Sequence, residues 1–221
     1  MWRNNLTLPL LSLVVAALGA LLLVLDFGLR HTSPSPTPAA AAGGSPTLDG
    51  RIGEGEYAHG FRDETTGIEL YWTVLGDQIY LALHSPGRGW VALALSPEGP
   101  MMQGGDIIIG YVSDDKLYIQ DNYADGPASH KADLELGGSD DLLEAAGFED
   151  DGGTVIEFRR KLDTGDRYDH AITTGEMAIQ LAYSDRDDSA AYHAERATVT
   201  LRLLEEGEGE GEGEEDDPGA S

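Results

Sequence analysis

The chain has 221 residues and no cysteine, and its 40 acidic side chains against 14 lysines and arginines give a formal charge of −26 at pH 7. That length holds one tether and one domain with a core of ordinary size, and the absence of cysteine excludes disulfides, thiolate metal sites, C-x-x-C-H attachment and a cysteine lipid anchor. A surface this acidic repels a phosphate backbone, so nucleic acid is excluded as a partner, while a cationic docking partner or a high-salt habitat suits it.

In chain order, residues 6–25 (LTLPLLSLVVAALGALLLVL) carry no charge and are long enough to cross a membrane as a helix. Only Arg3 and the amino terminus precede them as positive charges, which places the N-terminus inside and the rest outside the cytoplasm. The length of the run favours an uncleaved anchor over residues 1–30; the alanines at 39–42 leave a cleaved signal, and hence secretion, as the alternative. Residues 31–46, rich in Pro, Ala, Gly and Ser, read as an extended spacer. At the other end, residues 205–221 carry nine acidic side chains and no basic one, a composition that does not pack.

Between them, residues 47–204 follow period two rather than 3.6. Ile68, Leu70, Trp72 and Val74 alternate with polar neighbours, and Ile79, Leu81 and Leu83 follow after Gly76-Asp77, which predicts a hairpin. Apolar runs at 90–95, 107–112, 117–120 and 155–158, then the alternating stretches 177–183 and 197–203, bring the expected strands to eight. Only 140–146 (DDLLEAA) has helical composition. The pattern predicts an all-β, two-sheet sandwich of immunoglobulin-like architecture, because the sheets must bury their apolar faces against each other.

The elbow, phosphate-loop, dinucleotide and H-E-x-x-H motifs of common enzymes are missing, so no catalytic residue is assigned. Adjacent acids such as Asp140-Asp141 and Asp187-Asp188 fit calcium or glycoside chemistry in principle, but in so acidic a chain they read as solvated loop residues. Two features carry chemistry. Met101 and Met102 sit in a loop (SPEGPMMQGGD) where a thioether is either a core filler or a soft axial ligand to iron. His193 opens the final strand, where a ring nitrogen can point into a pocket at the end of the sandwich.

The ordered landmarks GWVALALSP (89–97), MQGGDIIIGYV (102–112), DNY (121–123), FRRKL (158–162) and YHAER (192–196), with LDGRI at 48–52, resemble the DOMON domain, the dopamine β-monooxygenase N-terminal-like family that includes the cytochrome domain of cellobiose dehydrogenase. The resemblance spans nearly all of the folded part, with Gly105 where the family's M-x-G-A-D-like pattern has Ala. It implies one non-covalent haem b with Met102 and His193 as axial ligands, Met101 as the fallback, and Trp90, Tyr111 and Tyr192 lining the slot. The implied function is an extracytoplasmic, membrane-anchored electron-transfer domain facing a soluble or membrane-bound redox partner. The alternatives are a carbohydrate-binding module with Trp72 or Trp90 as an aromatic platform, or an interaction domain without a small ligand.

Overall fold

The computed structural model describes residues 37–38, 44–99 and 101–205. In chain order the strands are β1 (Thr37–Pro38), β2 (His59–Arg62), β3 (Glu69–Leu75), β4 (Gln78–Ser85), β5 (Val91–Leu95), β6 (Asp106–Ser113), β7 (Lys116–Gly126), β8 (Ser129–Ala132), β9 (Glu144–Asp150), β10 (Gly153–Lys161), β11 (Met177–Tyr183) and β12 (Glu195–Leu201). They form two six-stranded sheets, β1-β2-β3-β4-β10-β9 and β12-β11-β5-β6-β7-β8. Neighbouring strands are antiparallel throughout.

Period-two alternation sorts each strand into an inner and an outer face. Leu70, Trp72 and Val74 of β3, Ile79, Leu81 and Leu83 of β4, and Ile156 and Phe158 of β10 meet Val91, Leu93 and Leu95 of β5, Ile108 of β6, and Ile179 and Leu181 of β11 in one core. The hairpin expected at Gly76-Asp77 is present, with Leu75 opposite Gln78. All eight expected strands are found, and the all-β sandwich reading holds.

Four strands escaped the sequence pattern. β1, β2 and β8 are short and lie at or next to sheet edges. Residues 140–146, helical by composition, are extended instead: Glu144 to Ala146 start β9, whose backbone pairs with β10 from Glu144 opposite Arg159 onward. Edge pairing supplies hydrogen bonds that an isolated two-turn helix would have to form alone. The short helix that does occur, α1 (Asp133–Leu136), ends in Gly137 at φ +86°. Among the described residues no helix is long and apolar enough to cross a membrane. The apolar run 6–25, most of the spacer and the acidic tail beyond residue 205 lie outside the described residues.

On the outer face of the first sheet, Glu157 of β10 is fully buried. One carboxylate oxygen accepts the amides of Asp49 (3.0 Å), Gly50 (2.6 Å) and Arg51 (3.1 Å), and the other accepts the Tyr57 hydroxyl at 2.7 Å. This ties the segment entering the domain to β10, next to the edge strand β9.

Candidate functional site

On β5 and β6 both faces are buried, and the second face explains the site. While Val91, Leu93 and Leu95 face the core, Trp90, Ala92 and Ala94 pack with Ile107, Ile109 and Ala124 in a separate apolar cluster on the outer side of the sheet. Ala182 of β11 extends this surface. A side chain no longer than a methyl group at three neighbouring positions leaves a shallow trough, and two loops wall it.

The first wall is the methionine loop. The amide of Ser96 donates to Ala178 (2.8 Å), that of Gly104 to Ala124 (2.9 Å), and the Gln180 side-chain amide to the carbonyl of Met101 (2.5 Å), which fastens the loop to β11 on one side and β7 on the other. The turn needs left-handed backbone at Gly104 (φ +79°) and imposes it on Met101 (φ +59°), an uncommon conformation for a residue with a side chain. Met101 is exposed, whereas Met102 packs against the apolar cluster.

The second wall is the segment between β11 and β12. Its backbone crosses Gly89 so closely that a Cβ there would stand 2.3 Å from the nitrogen of Arg186, so only glycine fits. Trp90 is bonded at three points: its amide to Arg186 (3.2 Å), its carbonyl to the amide of Ser184 (2.9 Å) and its indole to the carbonyl of Ala191 (3.2 Å). Ala194 donates to Tyr183 at 2.7 Å, and the chain so held presents His193 half-buried, with the exposed Tyr192 ring 4.1 Å from it between centroids.

Met101, Met102, His193, Trp90 and Tyr192 therefore line one cleft of about 180 Å³. Three expectations are corrected. The cleft lies on the outer face of a sheet rather than at the end of the sandwich, because the alternate residues of β5 and β6 that face away from the core build its floor. Tyr111 shares that face but lies outside the lining, its ring stacked on Tyr118 at 5.0 Å. Trp72 is buried in the core as an inward residue of β3, and cannot offer a platform to a sugar.

The lining also contains His130, which nothing in the sequence singled out. Its Nδ1 lies 2.9 Å from the side-chain amide of Asn122. Burial holds the His130 ring below the ordinary histidine range, against the backbone of Ser189 and the charge of Asp125. Burial, then the charge of Arg196, holds His193 low as well, with Glu195 opposing. Two neutral imidazoles and two thioethers over an apolar floor are soft or borderline donors that suit iron rather than a hard cation.

A separate group of acids, scattered in sequence, converges between the sheets: one oxygen each of Asp106, Asp121 and Asp169 lies within 4.8 Å of the other two. Burial pushes Asp121 up to about 8 against the opposing Asp141 amide, and burial with the charges of Asp169 and Asp106 pushes Asp133 up to about 7. Neither adjacent pair noted in the sequence belongs to this group.

Residues 64–184 match the DOMON domain. The human protein named DBH-like monooxygenase protein 1 is 35% identical over 172 residues, which are 76% of this chain and 26% of that protein. Its counterpart in Gallus gallus is 33% identical over 146 residues, 64% of this chain and 23% of that protein. The chain thus spans about a quarter of the length of these relatives. Among solved structures, the cytochrome b domain of pyranose dehydrogenase from Coprinopsis cinerea superimposes with a TM-score of 0.50 at 18% identity, covering 71% of this chain and 87% of that one. The two stacked sheets, the matched segment running from the turn before β3 to the end of β11, and the identity to the human relative all agree: the chain belongs to the DOMON domain family.

Proposed function

We propose that the cleft binds one non-covalent haem b, with Met102 and His193 as axial ligands, and that the domain transfers electrons outside the cytoplasm without being an enzyme itself. The observation that carries this reading is the convergence of a thioether and a neutral imidazole on one apolar trough floored by buried alanines. Alanine at those positions favours a flat occupant, since larger side chains would fill the space themselves. At about 180 Å³ the cleft is below the ~300–1,000 Å³ of whole small-molecule sites, so a haem held there would be only partly covered and would remain open to a redox partner. A domain named a cytochrome b domain shares the fold.

When bound, the haem supplies a one-electron couple, and methionine opposite histidine raises its potential relative to two nitrogen ligands. Met102 and His193 would hold the iron, and the apolar floor of Trp90, Ala92 and Ala94 would keep water from it. Met101 is the second choice for the sulfur, because it is exposed whereas Met102 packs against the apolar floor. The uncleaved anchor over residues 1–30 and an extracytoplasmic partner belong to the same proposal. The two tryptophans expected to offer a sugar platform, Trp72 and Trp90, are both buried.

Optical spectra of the full chain, expressed with haem supply, test the reading. A Soret band with a sharp low-spin reduced spectrum is expected, converted to a high-spin form or lost in Met102→Ala and His193→Ala and retained in Met101→Ala. A colourless protein, or a spectrum unmoved by all three substitutions, sinks the proposal.

A further inference from the structure

The inner faces of the two sheets change character at one end of the core. Along β10 the inward series Ile156, Phe158 continues with Arg160; along β6 Ile108 is preceded by Asp106; along β7 Ile119 is followed by Asp121. Asp133 at the start of α1 and Asp169 in the segment between β10 and β11 complete the group. None of the five side chains is more than 4% exposed.

Two of the four carboxylates share one guanidinium. Arg160 Nη1 donates to Asp106 Oδ2 at 2.7 Å and its Nη2 lies 3.2 Å from Asp169 Oδ2. Asp106 Oδ2 also accepts the His170 amide (3.0 Å), and Asp121 Oδ2 the Asp141 amide (2.9 Å). Each of these two carboxylates thus commits one oxygen to the fold and leaves Oδ1 without a hydrogen-bond partner. Asp133 is fully buried with no donor group on either oxygen, and after burial the charge of Asp169 is the largest influence on it. Buried carboxylate oxygens without donors cost several kcal/mol unless a proton or a cation compensates them.

We propose that this acidic nest is a binding site for a hard divalent cation, calcium by its ligand chemistry, with Asp106, Asp121 and Asp169 as its carboxylate ligands and Asp133 beside them. The ligand set is all oxygen, as calcium prefers. Three or four carboxylates gathered in one buried cage suit calcium, which takes six to eight protein oxygens, better than magnesium, which keeps several waters and usually binds through one or two carboxylates. Arg160 is one guanidinium among four carboxyl groups and braces two of them, Asp106 and Asp169. The site is distinct from the cleft and stands whether or not haem binds there. It lies directly beneath the methionine loop, however: Asp106 follows that loop in the chain, and His170, whose amide is bound by Asp106, places its Nε2 2.8 Å from the carbonyl of Gly104.

The test uses the colourless full chain, stripped with a chelator and titrated with CaCl₂, with MgCl₂ as the control, by calorimetry and thermal melting. One specific equivalent of Ca²⁺ and a rise of several degrees in melting temperature are expected, with at least tenfold weaker binding of Mg²⁺. Asp121→Asn and Asp133→Asn keep the side-chain shape while removing charge, and far-UV circular dichroism verifies that they fold. Both are expected to abolish the specific equivalent and the shift, while diffuse association of Ca²⁺ with the acidic surface persists in them. A calcium shift of equal size in both variants, or no shift in the parent at millimolar Ca²⁺, overturns the proposal; in the second case the nest holds protons instead.

Discussion

The indole nitrogen of Trp90 donates to the carbonyl of Ala191 at 3.2 Å, so the residue that opens the floor of the cleft also anchors the loop that carries His193. Trp90→Phe keeps the apolar ring and removes the donor. It is expected to cost about 1 kcal/mol in urea denaturation and to speed proteolytic cleavage between residues 185 and 192. An unchanged cleavage rate would mean that the backbone bonds of Trp90 hold the loop without the indole.

The alanine floor gives a second prediction. Ala92→Phe or Ala94→Phe fills an open trough rather than a closed core, so the loss in stability is expected to stay under about 1.5 kcal/mol. Haem uptake is expected to fall at least tenfold, measured by Soret titration of the apoprotein. A variant that takes up haem normally would place the ligand elsewhere.

Arg160 has no exposure and is the guanidinium shared by Asp106 and Asp169. Arg160→Met leaves those carboxylates facing one another, and removing one partner of a buried ion pair costs about 3–5 kcal/mol. Chemical denaturation in the presence of a chelator measures it, and a loss under about 1 kcal/mol would contradict the ion-pair account.

Glu157 accepts three backbone amides and the Tyr57 hydroxyl. Glu157→Gln places an amide group against donors and is expected to cost about 1.5–3 kcal/mol, whereas Tyr57→Phe, which removes one donor and leaves the carboxylate to the amides, costs about 1 kcal/mol. The order of the two denaturation midpoints is the check.

Burial holds the His130 ring below the ordinary histidine range, so between its folded value and about 6.5 the unfolded chain binds the extra proton. The stability linked to its neutral form is full above about pH 6.5 and is lost as pH falls through the folded value. The stability difference between the parent and His130→Gln is therefore expected to shrink from pH 7.5 to pH 5 in parallel denaturation curves. A difference that grows on acidification would reverse the assigned direction.

The eight strands legible in the sequence are those whose alternation is long enough to mark a buried face. What misled was the uninterrupted run VALAL: it read as plain core, yet only Val91, Leu93 and Leu95 serve the core while Ala92 and Ala94 serve the cleft. A strand apolar on both faces announces a second covered surface, and the small size of its alternate residues was the available signal for where that surface lies. β9 was hidden because EAA has helical propensity and pairing with β10 overrides it. Met102 and His193 could be picked out through their family pattern and by sitting beside apolar runs; His130 could not, because β8 is four residues of mixed polarity at a sheet edge. The acidic nest draws on positions 106, 121, 133 and 169, a spacing set by strand register alone, so no local motif reports it.

Because the trough is built on the far side of β5 and β6 from Leu93 and Ile108, the chain's thermodynamic cohesion and its choice of guest are encoded by different residues of the same strands. Odd positions of β5 can be left alone while even ones drift, so descendants of one sandwich can exchange, lose or regain an occupant without passing through an unfoldable intermediate.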